Sequence, residues 1–243
     1  MIIKLNAIDS TNAFLKRLNQ EKNLNDYTVV TADKQSEGRG QRGAIWQSEP
    51  YKNLIMSVFK RSLQLNGNAQ FYLSMAISMA VVRTLENFNI PAIKIKWPND
   101  ILSANEKICG ILIESYLKSG IIDTAIIGIG LNVNQCNFPG LPKATSLKKQ
   151  MNRDFDLVEI RNVLLAKIKD YVKMLENEVL RNKLKQEYLS YLFRINKPST
   201  FENTQGAVFM GFITGVAGNG KLIVRMEDNL LEEFAAKEIK LLY

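Results

Sequence analysis

The sequence predicts an α+β fold in which helices flank a central β-sheet and a small β-barrel follows. Apolar, β-branched segments recur between residues 27 and 133, as is typical of buried strands. Apolar residues at helical spacing replace them between residues 156 and 193. From residue 194 onward, short strand-like segments separated by hairpin turns favour an SH3-like barrel. We therefore expect one domain at residues 1–193 and a second at residues 194–243.

The first half of the chain contains several candidate strands and two candidate helices. Asp9 and Ser10 precede the segment AFLKRL and are typical helix caps, so a helix is expected to begin there. A second helix is expected at residues 69–88, which are apolar around most of the helix circumference. The polar segment PNDILSANEK predicts a turn between two strands. Strands are predicted at residues 27–32, 54–59, 93–97, 108–115 and 121–133.

The second half changes to helical periodicity and then to short strands. Asp156, with Glu159 three residues later, predicts a capping box at the start of a helix. A further helix is expected at residues 179–193, and the proline-containing segment 196–198 ends it. Turn signals rich in glycine and asparagine separate the predicted strands that follow, at residues 207–214, 221–226 and 230–235.

The composition excludes several kinds of site. The chain has no histidine, so a Ser-His-Asp triad and a histidine-ligated zinc site are impossible. Cys109 and Cys136 lack CxxC spacing, which argues against a zinc knuckle or a disulfide framework and favours a reduced, cytoplasmic setting. The start MIIKLNAIDST resembles no signal peptide, and no uncharged apolar run is long enough for a membrane span. We therefore expect no membrane association.

The net charge of +8 makes a nucleic-acid-binding module a candidate, but the distribution of charge argues against it. Residues 194–243 have equal numbers of basic and acidic side chains, so the whole excess lies within residues 1–193. The basic residues between 143 and 187 fall mainly in predicted amphipathic helix, where charges usually mark a solvated face. A pocket for small anions, or an acidic protein partner, explains the remaining charge equally well.

A glycine-rich loop between two predicted strands is the strongest local signal. Gly38, Gly40 and Gly43 allow the backbone to approach a ligand closely. Arg39 and Arg42 supply donors for phosphate or carboxylate. No GK[ST] follows, so this is not a Walker A loop, and no helix follows that would complete a dinucleotide fingerprint. On its own, the loop is equally consistent with a surface hairpin.

Three further segments place polar residues beside buried strands. In KWPND, the strand that contains Lys96 ends in a turn with Asn99 and Asp100, which suit magnesium or nucleotide but are also ordinary turn residues. In KICGILIE, Lys107 enters an apolar strand three residues before Gly110, where its ammonium could face an anionic ligand. In GIGLNVN, the glycines permit close backbone approach and the asparagines end the strand.

The ordered set of motifs is far more specific than any one of them. STN, QxxGRGxxGxxW, KWPND, KxxGxLxE and GxGxNVN succeed one another across residues 9–134 and closely resemble the biotin protein ligase family. The resemblance is to the short form without an N-terminal DNA-binding domain, and it extends more loosely through the C-terminal domain. It implies a mixed, mainly antiparallel central sheet flanked by helices, as in class II synthetases. It also implies that biotin and ATP form biotinyl-5′-AMP, from which biotin passes to a lysine of a carboxylase carrier domain.

The resemblance assigns candidate site residues. Ser10, Thr11 and Gln35 match positions that hydrogen-bond the ureido ring of biotin, and their neutral groups suit a neutral ligand. Trp46 matches a tryptophan near the end of the glycine loop that could cover the ligand. The expected biotin site is Ser10, Thr11, Asn12, Gln35, Gly38, Arg39, Lys107 and Gly110. The expected adenylate and ATP site is Arg39, Gly40, Gln41, Arg42, Trp46, Lys96, Asn99 and Asn132.

Catalysis is expected to depend on Lys107, Arg39 and Asp100. Lys107 matches the lysine that binds the reacting carboxylate and the α-phosphate, where its charge would stabilise the transition state. The carboxylate of biotin is already ionised at neutral pH, so the first step needs no general base, which is compatible with the absence of histidine. Asp100 is the candidate for orienting or deprotonating the acceptor lysine in the second step. Asp100 and Asn132 are also the candidate ligands of Mg²⁺.

Two features depart from the family pattern. Many members have a second arginine directly after GRG, where this chain has Gln41. Either Arg42 supplies the missing charge or the adenylate is held less tightly, and we hypothesise that Arg39 and Lys107 alone retain it. The STN motif begins at Ser10, which leaves no room for the helix-turn-helix domain of members that repress biotin synthesis, so we expect no DNA binding.

Two alternative functions remain open. Lipoate or octanoate ligases resemble this fold and chemistry, but they typically have an RRxxGGG loop and a histidine-bearing segment that this chain lacks. A basic nucleic-acid-binding module would require interleaved basic and aromatic residues on one surface, and the neutral tail argues against it. The expected partners are biotin, ATP and a biotin carboxyl carrier protein or domain, with Lys197 a candidate contact. A homodimer is also expected from the resemblance.

Overall fold

A seven-stranded sheet forms the larger part of the protein, for which a computed structural model describes residues 1–63 and 65–243, without the side chain of Arg42. Its strands are β1 (Ile2–Ile8), β2 (Val29–Gln35), β3 (Leu54–Arg61), β4 (Ile93–Lys96), β5 (Asp100–Ser103), β6 (Glu106–Lys118) and β7 (Ile121–Leu131). They lie in the order β1-β2-β3-β7-β6-β5-β4. Strands β1 and β2 pair in parallel and the other neighbours pair antiparallel. The predicted mixed, mainly antiparallel sheet is therefore confirmed.

Helices cover both faces of this sheet. They are α1 (Thr11–Glu21), α2 (Gln70–Asn87), α3 (Leu147–Met151), α4 (Leu157–Lys173) and α5 (Glu178–Tyr191). Successive strand residues point to opposite faces, so Val58 packs into the core around α2 whereas Phe59 packs beneath α1. Arg83 of α2 donates to Tyr171 of α4 (3.2 Å) and to Glu187 of α5 (2.9 Å), which ties these three helices together. Among the described residues, no helix is long and apolar enough to cross a membrane.

Side-chain caps explain where several helices begin. Ser10 caps α1, as the sequence predicts, and its hydroxyl accepts from the Ala13 backbone N–H (3.5 Å). Asp156 caps α4 by accepting from the Val158 backbone N–H (2.7 Å). The cap of α1 matters for function because it fixes the STN motif at the amino end of a helix that lies on the sheet.

A second sheet of five short strands follows the helices. Its strands are β8 (Pro198–Asn203), β9 (Val208–Val216), β10 (Leu222–Met226), β11 (Leu231–Phe234) and β12 (Ile239–Leu242). They lie in the order β11-β10-β9-β8-β12, and all neighbours pair antiparallel. This arrangement is consistent with the SH3-like fold that the hairpin turns predict.

The two sheets meet beside β4, at one edge of the large sheet. Phe193, just after α5, donates its backbone N–H to Ile95 of β4 (2.8 Å). Trp97 follows β4, and its Nε1 donates to the Gly220 carbonyl of the second sheet (2.9 Å). The second sheet is therefore held against the edge where KWPND lies, which brings it into the site described below.

Several elements lie where the sequence predicts none: β1, β5, α3, β8 and β12. The segment predicted as a turn, PNDILSANEK, contains β5, whose Ile101 and Leu102 are fully buried. Ala104 and Asn105 both have positive φ (47° and 68°), so they form a two-residue hairpin between β5 and β6. Alanine is uncommon at such a position, which explains why the sequence did not reveal the hairpin.

Candidate active site

A cavity of about 410 Å³ lies between the α1 face of the large sheet and the second sheet. It extends across the large sheet from the end of β2 to β4 and β5, and β8, β9, β10 and β12 contribute to its other wall. The predicted site residues that line it are Ser10, Thr11, Asn12, Gln35, Arg39, Gly40, Gln41, Trp46, Lys96, Asn99, Asp100, Lys107 and Gly110. Gly128 and Gly130 of the GxGxNVN motif also line it, so the structure gathers residues from all five motifs into one cavity.

Three predicted site residues are not part of this set. Gly38 belongs to the glycine loop, and an added Cβ there would overlap the Trp46 carbonyl, so glycine at this position lets the loop close. Asn132 is buried outside the lining of the cavity as described, and its Nδ2 donates to the Thr145 carbonyl (3.0 Å). The side chain of Arg42, also predicted to contact ATP, lies outside the described residues.

One end of the cavity is polar and uncharged. Thr11 begins α1 and its backbone N–H donates to Gln35 Oε1 (2.8 Å), which leaves the Gln35 amide nitrogen as a free donor. Asn12 Nδ2 donates to Glu114 Oε2 (2.7 Å) and Asn12 Oδ1 accepts from the Ser57 hydroxyl (2.6 Å). These groups are held by the protein before any ligand arrives.

Trp46 covers the middle of the cavity floor. Its backbone N–H donates to the Gly38 carbonyl (2.9 Å), which closes the glycine loop into a tight hairpin. Its indole ring lies on Gly110 and Gly130, which pair across β6 and β7. A Cβ at Gly110 would approach the ring to 2.9 Å, and a Cβ at Gly130 would overlap it. The indole ring can therefore occupy this position only because both residues are glycine. The indole Nε1 is buried without a hydrogen-bond partner among the described residues.

The other end of the cavity is cationic. Lys107 Nζ forms an ion pair with Asp100 Oδ1 (2.7 Å) and lies 5.6 Å from the centroid of the Trp46 ring. Burial lowers the pKa of Lys96 below its ordinary value, although the nearby Asp100 carboxylate opposes this shift. In the described part of the cavity wall, Asp100 is the one acidic residue, and the basic residues are Arg39, Lys96, Lys107 and Lys240.

Tyr243 supports the cationic end from the second sheet. Lys96 Nζ lies 4.5 Å and Lys143 Nζ lies 4.1 Å from the centroid of its ring, both within the range of cation–π attraction. Phe193 packs edge-on against the same ring. The aromatic ring therefore gathers two ammonium groups beside the Asp100 and Lys107 pair.

Asn99 lines the cavity and also forms hydrogen bonds with the backbone of β6. Its Nδ2 donates to the Ile111 carbonyl (2.7 Å), and the Ile111 backbone N–H donates to the Asn99 carbonyl (3.1 Å). These two bonds dock the KWPND turn on β6. The amide nitrogen of Asn99 is therefore occupied, and its amide oxygen is the atom left for a ligand.

The comparisons with known proteins decide the family. The profile of the Biotin/lipoate A/B protein ligase family matches residues 5–132, which is more than half of the chain. The chain belongs to this family. It is 31% identical to the bifunctional ligase/repressor BirA of Bacillus spizizenii, over 97% of this chain and 72% of that protein. It is 28% identical to the biotin–[acetyl-CoA-carboxylase] ligase of Paracoccus denitrificans, over 89% of this chain and 91% of that protein.

A solved structure extends the likeness of this family member to its whole fold. The biotin protein ligase of Aquifex aeolicus was solved in a complex with biotin and ATP. Its structure aligns with this protein over 99% of this chain and 98% of that chain. The TM-score is 0.82 and the sequence identity is 26%. The likeness therefore includes the second sheet, which lies beyond the residues matched by the family profile.

The structure adds residues to this ligase site that the sequence did not indicate. Lys240 and Tyr243 come from or follow β12, a strand that carries no recognised motif. Ser57 and Glu114 lie behind the uncharged end and contact it through Asn12. Glu114 ends the KxxGxLxE motif, so a signal for that position was present. For Lys240 the only signal was net charge, which does not specify position, and for Tyr243 there was no signal.

Proposed function

We propose that this protein is an ATP-dependent biotin protein ligase. It activates biotin to biotinyl-5′-AMP with release of pyrophosphate, and it transfers biotin to a specific lysine of a biotin carboxyl carrier protein or domain. The observation that carries this proposal is the division of one cavity into an uncharged hydrogen-bonding end and a cationic end, with Trp46 between them. Biotin has a neutral cyclic urea at one end and a carboxylate at the other, and its reaction partner is a triphosphate.

The uncharged end suits the urea better than it suits the dithiolane of lipoate. Gln35 offers an amide N–H and Thr11 offers a hydroxyl oxygen, which match a urea carbonyl and a urea N–H. A dithiolane has no strong donor or acceptor, so its binding would leave these groups without partners, at a cost of about 1–3 kcal/mol for each. Biotin is therefore the substrate that the geometry favours.

In the first step, a carboxylate oxygen of biotin attacks the α-phosphorus of ATP. The new O–P bond forms as the bond from the α-phosphorus to the bridging oxygen breaks, and pyrophosphate leaves with the electron pair of that bond. Lys107 and Arg39 place positive charge where negative charge accumulates on the phosphoryl oxygens. Asp100 holds Lys107 in place and leaves two of its three N–H donors available for the ligand. No proton transfer is required, because the attacking carboxylate is already ionised.

Magnesium fits this site only as a partner of the triphosphate. Among the described residues, no group of three or more carboxylate or cysteine side chains could hold a metal ion by itself. Mg²⁺ is commonly bound by one or two carboxylates together with substrate phosphates and water, and Asp100 supplies one such carboxylate. When bound, the ion would neutralise charge on the triphosphate. Asn132, the other candidate ligand, does not line the cavity as described, and its buried Oδ1 has no hydrogen-bond partner among the described residues.

In the second step, the amine of a carrier lysine attacks the carbonyl carbon of biotinyl-5′-AMP. An amide bond forms, the bond from the carbonyl carbon to the phosphate oxygen breaks, and AMP leaves. The lysine must lose its protons in this step, and Asp100 orients the amine or accepts a proton. The acceptor approaches the cationic side of the cavity, so an acidic carrier surface would be attracted to it.

The test is pyrophosphate release with ATP and magnesium, in the presence of either biotin or lipoate. Biotin should drive release, and Lys107→Ala should lower the rate by about 100- to 1,000-fold, as expected for loss of an electrostatic transition-state contact. Lys183→Ala, on the exposed side of α5, is the matched control and should leave the rate unchanged. Turnover driven by lipoate but not by biotin would contradict the proposal.

A further inference from the structure

Glu114 completes the KxxGxLxE motif, yet it does not line the cavity in the described structure and has no part in the reaction steps above. It lies on β6, on the same face as Gly110 and Leu112, because alternate strand residues share a face. Its Oε2 accepts a hydrogen bond from Asn12 Nδ2 (2.7 Å), across 102 positions of sequence. A partly buried carboxylate that bonds to an asparagine of α1 requires an explanation.

The carboxylate determines which way the Asn12 amide points. A carboxylate accepts hydrogen bonds and donates none, so only the nitrogen of the amide can face it. The Leu112 carbonyl, 3.4 Å from the same nitrogen, imposes the same requirement. Asn12 Oδ1 must therefore face the other way, toward Ser57. Gly128 makes room for this arrangement, since an added Cβ there would lie 2.5 Å from Asn12 Oδ1.

The orientation of Asn12 then determines the protons of two hydroxyl groups. Ser57 Oγ lies 2.6 Å from Asn12 Oδ1 and 2.7 Å from Thr11 Oγ1. Asn12 Oδ1 can only accept, so the single proton of Ser57 is used there. With the Ser57 proton used there, the Thr11 hydroxyl proton fills the short contact with Ser57, and it also lies within reach of Gln35 Oε1 (3.1 Å), which can only accept. Both acceptors belong to the protein, so a lone pair of Thr11 faces the cavity as an acceptor.

We infer that Glu114 is a positioning residue that sets the hydrogen-bond polarity of the uncharged end of the cavity, through Asn12, Ser57 and Thr11. This inference rests on the proposed function, because the proposed substrate, biotin, supplies the cyclic urea that this hydrogen-bond polarity selects. Gln35 presents a donor, since its oxygen is occupied by the Thr11 backbone N–H. Thr11 presents an acceptor. Together they match the carbonyl and N–H of a cyclic urea and oppose a ring that carries an oxygen in place of that N–H.

The test compares equilibrium binding of biotin with binding of two cyclic carbamate analogues, in which ring oxygen replaces one or the other ureido N–H. The wild type should prefer biotin over the analogue whose oxygen faces Thr11. Glu114→Met removes the acceptor while keeping the size of the side chain. It should reduce that preference about tenfold, because Ser57 can then donate to Thr11, and the Thr11 proton loses the nearer of its two protein acceptors. Glu114→Gln can present its amide oxygen to Asn12 and should restore most of the preference.

Controls separate this role from a general loss of structure. Ser57→Ala interrupts the series of hydrogen bonds between Asn12 and Thr11. It should reduce the same preference, and it provides the test even if Glu114→Met fails to fold. Glu232→Gln, an exposed carboxylate of β11, should change neither affinity. Equal weakening of biotin and analogue in the Glu114 and Ser57 variants would overturn the inference and leave the proposed function intact. Failure of the wild type to bind biotin would overturn the proposed function as well.

Discussion

The two ends of the cavity are built in different ways. At the uncharged end, each polar group that faces the ligand is already bonded to another protein group, and the chain of bonds ends at Glu114. At the cationic end, the ammonium groups come from separate elements of both sheets and have few partners apart from Asp100 and the ring of Tyr243. The first end is therefore organised in advance for one neutral group. The second gathers charge for a flexible anion whose position changes during the reaction.

The glycines of β7 offer the strongest way to separate these two regions. Gly130→Ala should displace Trp46 from the floor that both substrates share, so biotin and nucleotide affinities should each fall by about 10- to 100-fold. Gly128→Ala presses on Asn12 instead, so it should weaken biotin about tenfold and leave nucleotide binding near the wild-type value. Calorimetric titration with each ligand measures both effects.

The matched control is Gly215→Ala in the second sheet, where an added Cβ meets its nearest atom at an ordinary 3.8 Å. It should change neither affinity. If Gly128→Ala lowers the nucleotide affinity as strongly as it lowers the biotin affinity, the two ends do not act separately. Thermal unfolding of each variant shows whether a loss of affinity comes from a loss of fold.

The cationic end should respond to pH through Lys96. Burial lowers the pKa of Lys96, whereas a bound triphosphate favours its charged form. Nucleotide affinity should therefore fall severalfold as pH rises through that lowered pKa, below the range in which an exposed lysine loses its charge. Lys96→Arg keeps the charge at every accessible pH and should abolish this fall.

Dissociation constants of ATP measured from about pH 7 to about pH 10 provide the test, since exposed lysines titrate near the upper limit. The exposed Lys94 on the same strand supplies the control, because Lys94→Arg should retain the wild-type profile. A profile that is the same in the wild type and in Lys96→Arg would show that Lys96 does not face the nucleotide. Biotin affinity should be nearly flat over this range.

The smallest expected effect concerns retention of the adenylate. Gln41 lines the cavity where many family members have arginine, and we expect Gln41→Arg to slow release of biotinyl-5′-AMP by about threefold, through one added charge contact. Trapping of the released adenylate measures the rate. Gln47→Arg, at an exposed position of the same loop, should have no effect. An unchanged release rate in Gln41→Arg would contradict the hypothesis that Arg39 and Lys107 alone retain the adenylate.

The sequence predicted the uncharged end better than the cationic end, and the reason is physical. Thr11, Gln35 and Trp46 belong to the motifs that carry the family resemblance, and that resemblance implied that they would meet in one site. Lys240 reaches the cavity, and Tyr243 reaches Lys96, only because the second sheet packs against β4, and no local pattern specifies such a packing. Long-range packing of this kind depends on the whole fold.

One other difference has a local cause. The hairpin between β5 and β6 was expected to be a plain turn, because Ala104 and Asn105 lack the glycine that usually marks positive φ. Asn132 was expected to contact nucleotide or metal. Its Nδ2 donates to the Thr145 carbonyl, whereas its buried Oδ1 has no hydrogen-bond partner among the described residues, so this expectation stays a prediction.

The central claim is that one cavity binds the urea at its uncharged end and the triphosphate at its cationic end. The most direct test is a crossed set of dissociation constants for biotin and for an ATP analogue with a methylene group between the α- and β-phosphorus. Thr11→Val should weaken biotin about tenfold and spare the analogue, whereas Lys96→Ala should weaken the analogue about tenfold and spare biotin. If each substitution weakens both ligands to the same extent, the division of the cavity into two functional ends is wrong.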